Sequence, residues 1–166
     1  MKIEIKKVTG KESLKIWVNW LNNKKNSTYT NRKFIKHTIE SQKLFIKKKL
    51  KSEKSKIFKI LYNKVFIGVV EIDSIDYFNK HCDIGFMLGN ENYFNKGITT
   101  HAVKICLKIA KKMKLRIAYG KCYSENLASV KVFKKNGFKK IARFKNHYLS
   151  INKKKTYDMV YFQKRL

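Results

Sequence analysis

The residue pattern predicts an α+β fold: a single domain over residues 1–166, built on a central mixed, mostly antiparallel sheet flanked by helices on both faces. Extended and helical periodicities share the chain without strict alternation, which favours neighbouring strand pairs over repeated βαβ units. Hydrophobic residues make up 43% and aromatic residues 13%, enough for a buried core at this length, and no repeat or linker divides the chain. A tight Asn63-Lys64 turn joins two extended runs, KIFKILY and VFIGVVEID, into a hairpin.

In order, residues 2–8 alternate Ile3, Ile5 and Val8 with charge and read as a strand. A helix follows from about Ser13, with Leu14, Trp17, Val18 and Leu21 as its buried stripe, and Asn22 and Asn23 end it. Residues 26–37 are polar, aromatic and irregular, either a substrate wall or a solvated connection. Thr38 has the character of an N-cap for a second helix carrying Ile39, Leu44, Phe45 and Leu50. Gly68, inside the second strand of the hairpin, marks a bulge or a close backbone approach. The next strand runs over 82–88 and stops at Gly89. A loop with Asn95, Lys96 and Gly97 then opens a helix over 99–113, and the free amides of such a helix start can hold an anion, above all a phosphate. Gly97 lets the backbone come close to that ligand. Further on come a strand over 116–123, a helix over 126–135 with Leu127, Val130 and Phe133 inward, and an Asn136-Gly137 stop. Strands over 141–151 and 156–162, joined by a turn around Asn152, complete the chain.

Forty Lys and Arg against eleven Asp and Glu leave a net charge of +29, which raises a polyanion-binding role. Only four of the forty are Arg, the residue suited to bidentate phosphate and base contacts, and the lysines are spread along nearly the whole chain beside abundant Ile and Asn and no Pro. Coding bias toward A and T gives the same pattern. Cys82, Cys106 and Cys122 are odd in number and far apart, and the four histidines are isolated. Neither a disulfide framework nor a metal site is expected, and a reducing cytoplasm fits best. The N-terminal residues lack a long apolar stretch, and no run of about eighteen apolar residues occurs, which argues against export and membrane insertion.

The order strand, Gly-containing loop, helix, strand and Asn-led helix ending in Gly-Phe resembles the GNAT family of acetyl-CoA-dependent N-acetyltransferases. YFNKGITTHA resembles that family's pyrophosphate loop, in the branch of ribosomal-protein N-terminal and small-molecule acetyltransferases, and ENLASVKVFKKNGFKKIARFKNHYL resembles its second motif and the strand after it. The resemblance implies that the amides of Asn95, Lys96, Gly97, Ile98 and Thr99 hold the coenzyme pyrophosphate. Phe86, Met87 and Leu88 would then lie along the pantetheine arm, with Asn126 bonding that arm or acting simply as an N-cap and Ser129 assisting. Asp83 is the expected proton relay, with Glu71 and Asp73 in reserve, while Tyr123 and Ser124 would contact the leaving thiol. Tyr29, Arg32, His147 and Asp158 are the expected acceptor contacts. Three departures stand out: Thr99 replaces a smaller loop residue, Phe94 replaces a polar one, and Phe133 stands where many members carry a tyrosine acid.

The implied activity is acetyl transfer from acetyl-CoA to a primary amine of a small molecule, with a nucleotide-linked amino sugar the specific expectation and a protein N-terminus the alternative. A reading of another class is a basic RNA- or ribosome-binding module on the same scaffold, with Tyr29, Phe34, Tyr148 and Tyr161 stacking bases. No RNA-binding motif supports it, so nucleic acid is not expected as the main partner. Dimerisation through an edge strand, common in similar proteins, would make the chain a homodimer.

Overall fold

A computed structural model describes residues 2–30, 34–150 and 154–166. Seven strands form one sheet in the order β1-β2-β3-β4-β5-β7-β6: β1 (Ile3–Lys7), β2 (Lys56–Tyr62), β3 (Val65–Asp76), β4 (His81–Leu88), β5 (Ile117–Tyr123), β6 (Lys139–Leu149) and β7 (Thr156–Arg165). Every neighbouring pair is antiparallel except β4 and β5, so the class is α+β as the pattern predicts. The expected turn around Asn152 lies outside the described residues.

The two faces of the sheet bury separate cores because side chains alternate along each strand. On one face, Cys82 and Ile84 of β4 meet Ala102, Val103 and Cys106 of α4 (Ile98–Lys112) and Phe133 of α5 (Leu127–Lys135). On the other, Ile57 and Val69 meet Trp17, Trp20 and Leu21 of α1 (Leu14–Asn22) and Ile46 of α3 (Ile39–Lys51). A four-residue helix, α2 (Lys24–Ser27), follows α1 and overlaps only the first two residues of the segment expected to be irregular. Its polar sequence has no apolar period; the Asn23 side chain caps it by accepting from Lys25 N–H at 2.8 Å.

The helix after Thr38 forms with a full capping box, Ser41 Oγ accepting from Thr38 N–H at 2.9 Å and Thr38 Oγ1 from Ser41 N–H at 3.1 Å. Its expected stripe is corrected: Ile39, Leu44 and Leu50 are exposed, and Gln42 and Ile46 face inward. The helix meets the sheet along a narrow contact on α1 and β2, and it has more apolar residues than that contact can cover. Leu127, expected inward, is likewise exposed at the first turn of α5, whereas Phe133 is 1% exposed and packs in the core.

Glycine is required by close approach at two places. A Cβ on Gly68 would lie 2.4 Å from the Met87 carbonyl oxygen, and the β2–β3 register shifts beside it, so both expectations for that residue hold. At Gly120 a Cβ would lie 2.1 Å from Cε1 of Phe133, a ring already fixed by Phe86, Phe138 and Phe162 at 5.1–5.2 Å between centroids. Gly120→Ala should therefore cost about 1–3 kcal/mol through overpacking. Urea unfolding of the variant checks this, and an unchanged midpoint would show that the ring can yield.

The N-terminal loop is pinned by Glu12, whose side chain is 2% exposed. It accepts from Thr9 and Gly10 N–H at 3.1 and 2.8 Å and from Lys59 Nζ at 2.8 Å. Burial opposes its ionisation, but the Lys59 ammonium and these amides outweigh that and hold its carboxyl below the usual range.

Candidate active site

The parallel strands β4 and β5 pair only at His81–Ile117, Cys82–Ala118 and Asp83–Tyr119, although β4 continues to Leu88 and β5 to Tyr123. Beyond Asp83 the two strands diverge and leave a wedge at their C-terminal ends. Ligand sites in open sheets gather at such places, because the flanking chain turns to opposite faces there. A cleft of about 860 Å³ occupies the wedge. It is lined from the α4/α5 face by Ile84, Phe86, Val132 and Phe133 and from the α1/α3 face by Trp17, Phe45, Val69 and Met87. The cleft therefore opens both faces of the sheet to each other.

At one end the loop of residues 95–97 delivers the chain into α4. Asn95 (φ 60°) and Gly97 (φ 73°) both adopt the left-handed conformation, which asparagine and glycine tolerate best. No side chain caps α4, and its first internal bond runs from His101 N–H to the Gly97 carbonyl, so the amides of residues 98–100 have no partner within the helix. Lys96 beside this start, and Lys131 and Lys135 one turn apart on α5, line the same cleft. Unpaired amides at a positive helix end with three ammonium groups suit a polyanionic diphosphate.

All ten residues expected to bind coenzyme line this cleft: Phe86, Met87, Leu88, Asn95, Lys96, Gly97, Ile98, Thr99, Asn126 and Ser129. Asn126 is also the N-cap of α5, accepting from Ser129 N–H at 3.1 Å, the simpler of its two expected roles. Phe133 lies against Gly120 within the aromatic core, which accounts for an apolar ring at that position.

The other expected residues divide. Tyr29 lines the cleft, whereas Asp83, Tyr123, Ser124, His147 and Asp158 are outside its lining. Asp83 sits at the last paired position of the wedge, directly opposite Asp73 on β3. Burial pushes its carboxyl above the usual range; Lys121 opposes that shift and Asp73 reinforces it. Tyr123 is 2% exposed, packed against Tyr148, Tyr157 and Tyr29 with centroids 5.1, 5.4 and 6.2 Å away. Burial, helped by Tyr148 and Tyr157, pushes its phenol up to about 12, so it stays a neutral donor at physiological pH. Ser124 donates to Glu125 at 3.0 Å, and His147 is edge-on to Tyr148 at 4.6 Å. The Asp158 carboxylate is taken up by Arg143 Nε at 2.6 Å and by Asn146 N–H at 2.8 Å, where it secures a bulge of β6. Arg32 lies outside the described residues.

The structure adds residues that the pattern did not single out for the site. Glu71, held only in reserve, lines the cleft, with its Oε1 2.9 Å from where a Gly85 Cβ would sit. Lys49 of α3 lies 3.0 Å from Glu71 Oε2 and 2.6 Å from Asp73 Oδ2. Lys131 and Lys135 carried a legible signal in their spacing, whereas Trp17 and Asn26 read as core and loop. Among the described residues no group of three or more His, Cys, Asp or Glu side chains could hold a metal ion, and no helix is long and apolar enough to cross a membrane.

Comparisons with known proteins agree with this fold. The acetyltransferase (GNAT) domain profile matches residues 3–139. No curated protein sequence matches significantly. Solved structures of the same fold include RimL, a ribosomal alpha-N-protein acetyltransferase in complex with coenzyme A, at 16% identity and TM-score 0.85 over 99% of this chain and 94% of that one. The Microcin C7 self-immunity acetyltransferase MccE, in complex with acetyl-CoA and AMP, matches at 22% identity and TM-score 0.84 over 99% and 93% of the two chains. A spermidine N-acetyltransferase from Vibrio cholerae, in complex with CoA and spermine, matches at 16% identity and TM-score 0.84 over 98% and 95%.

Proposed function

Because the chain belongs to the GNAT acetyltransferase family and is an acetyl-CoA-dependent N-acetyltransferase, we propose that its acceptor is the primary amine of a small molecule entering from the α1/α3 face. The observation that carries this reading is the single cleft through the β4–β5 wedge, with a phosphate-suited helix start on one side and a compact pocket around Trp17, Phe45 and Glu71 on the other. Such a pocket suits a small acceptor.

In this reading the diphosphate of acetyl-CoA sits on the amides of residues 95–99, with Lys96, Lys131 and Lys135 balancing its charge. The pantetheine follows Phe86, Met87 and Leu88, with Asn126 and Ser129 along its other side, and brings the thioester into the wedge. Glu71 accepts the proton that the acceptor ammonium must lose before its nitrogen can attack. The C–N bond forms, the C–S bond breaks with the thiolate leaving, and the proton still on nitrogen passes to that sulfur; a thiolate with a cysteine-like thiol pKa of ~8.5 is a competent leaving group near neutrality. Phenylalanine at position 133 therefore costs little. Tyr123 and Ser124, at the end of β5, are the proposed hydroxyl contacts of the departing sulfur. Much of the rate comes from holding both reactants across the wedge, an effect worth up to ~7–11 kcal/mol in favourable cases.

The nucleotide-linked amino sugar gains little support from the acceptor side. Behind the lining, Lys49 is shared by Glu71 and Asp73, and Lys25 at the rim is paired with Glu91 at 2.9 Å, so neither ammonium is free for a diphosphate.

Thiol release from acetyl-CoA, followed by mass analysis of the product, tests the reading across a panel of small amines, amino-sugar nucleotides and N-terminal peptides. Acetylation of a small amine is expected. A protein that binds acetyl-CoA yet acetylates only long peptides would remove the small-molecule acceptor.

A further inference from the structure

Away from the cleft, and sharing no lining residue with it, a groove of about 330 Å³ lies between α3 and the loop that enters α1. Its apolar lining is Leu14 of α1 with Ile46 and Leu50 of α3, and Leu50 is 48% exposed. Lys43, Lys47 and Lys51 line it as well, each one turn after the last, in a row of ~12 Å along α3. At ~3.6 residues per turn, Ile46 and Leu50 form one strip of the helix and the three lysines form the strip beside it. No acid lines the groove. Glu12, the carboxylate of the adjoining loop, is 2% exposed and engaged by Lys59 and by the amides of Thr9 and Gly10. Lys43 has an electrostatic contact with Glu40, but none of the three lysines has an ion pair among the described residues. The groove therefore offers uncompensated positive charge next to uncovered apolar surface.

That combination selects among partners. A nucleic-acid backbone would take the lysines and leave the apolar strip in water. A membrane surface is flat and would not fill a groove. A second copy of this chain would bring a net charge of +29 against the same charge. A helix with leucines on one strip and carboxylates on the next satisfies both strips of α3, since an amphipathic helix binds by laying its apolar residues into such a groove. We propose that this groove docks an acidic amphipathic helix of a partner protein. Its apolar side chains pack on Leu14, Ile46 and Leu50, and its carboxylates, one turn apart, meet Lys43, Lys47 and Lys51. The charges steer and orient the partner, and the apolar contacts retain it. The proposal is independent of the acceptor.

The test is fluorescence anisotropy with the full chain and a labelled twelve-residue peptide whose glutamates and leucines each recur at helical spacing. It is run at about 0.15 M salt, where long-range attraction is screened. A control peptide carries alanine for every leucine at unchanged charge. The parent chain should bind the leucine peptide at least tenfold tighter than the alanine peptide. Lys43→Gln, Lys47→Gln and Lys51→Gln together should weaken the leucine peptide at least tenfold. Lys104→Gln, Lys108→Gln and Lys111→Gln, which remove the same charge from exposed positions of α4, should weaken it less than threefold. Leu50→Gln should weaken the leucine peptide at least fivefold and leave the alanine peptide unchanged. All the substituted side chains are exposed, so each variant should melt as the parent does, and the comparison of peptides on the parent needs no variant. Equal losses in the two lysine sets would assign binding to overall charge and overturn the proposal. Equal affinity for the two peptides, or no saturable binding of the leucine peptide, also overturns it. Tighter binding of a twelve-nucleotide single-stranded DNA or of phosphatidylcholine/phosphatidylserine vesicles, lost with the α3 lysines and kept without the α4 lysines, would give the groove to that partner instead.

Discussion

Gly97→Glu is expected to raise the dissociation constant for acetyl-CoA by at least ~100-fold, a loss of ~2.7 kcal/mol in binding. The residue forms the turn into α4 at φ 73°, and a Cβ there would meet no protein atom within 4 Å, so the change does not act by crowding the folded chain. It acts on the ligand. A carboxylate would stand where the unpaired amides of residues 98–100 and the positive helix end favour a phosphate, and it would compete for Lys96 as well. The left-handed conformation adds roughly 1–2 kcal/mol of strain for any residue with a side chain. Gly97→Ala separates the two effects: it should lose comparable stability but bind acetyl-CoA far better than the glutamate variant. Titration calorimetry at two salt concentrations, beside thermal unfolding, makes the comparison. Binding by Gly97→Glu within threefold of the parent would mean that the coenzyme phosphates lie elsewhere.

That helix start was legible because its chemistry is local. An Asn-Lys-Gly loop before an apolar-periodic helix marks a helix start with free amides whatever surrounds it, and the Thr38 and Asn126 caps were legible for the same reason. What failed to show depended on partners distant in sequence. The apolar residues Leu44 and Leu50 have helical spacing, but only the placement of α3 across β2 decides that Gln42 and Ile46 turn inward instead. The divergence of β4 from β5 has no local signature, since HCDIGFML and IAYGKCY are ordinary strands whose pairing simply stops after Asp83. Glu71 and Asp83 share one face of the sheet, so alternation alone could not choose between them. Trp17 read as core, which it is, while its place along the cleft is visible only once its neighbours are known.

The choice between those two carboxylates has the largest expected kinetic consequence. Glu71 is paired in register with Gly85, beyond the last β4–β5 contact, and its Oε1 passes over the space left by the missing Cβ, at the edge of the wedge where the thioester would arrive. Asp83 lies two residues earlier, where the strands are still joined and outside the cleft lining. Glu71→Gln should lower kcat by ~10²–10³-fold, within the range for loss of a general base, and leave acetyl-CoA affinity unchanged. Lys49 keeps its 2.6 Å contact with Asp73, so the fold should tolerate the near-isosteric change. The pH profile carries the decisive sign. Without the base only the acceptor already neutral in solution reacts, so the variant's rate should keep rising about tenfold per pH unit toward the amine pKa, ~10.4 for a lysine-like amine, more steeply than the parent's. Asp83→Asn should retain most activity and the parent profile. If instead Asp83→Asn shows the steep loss and the rising profile, the proton leaves through the paired part of the sheet, and Glu71 serves to place Lys49.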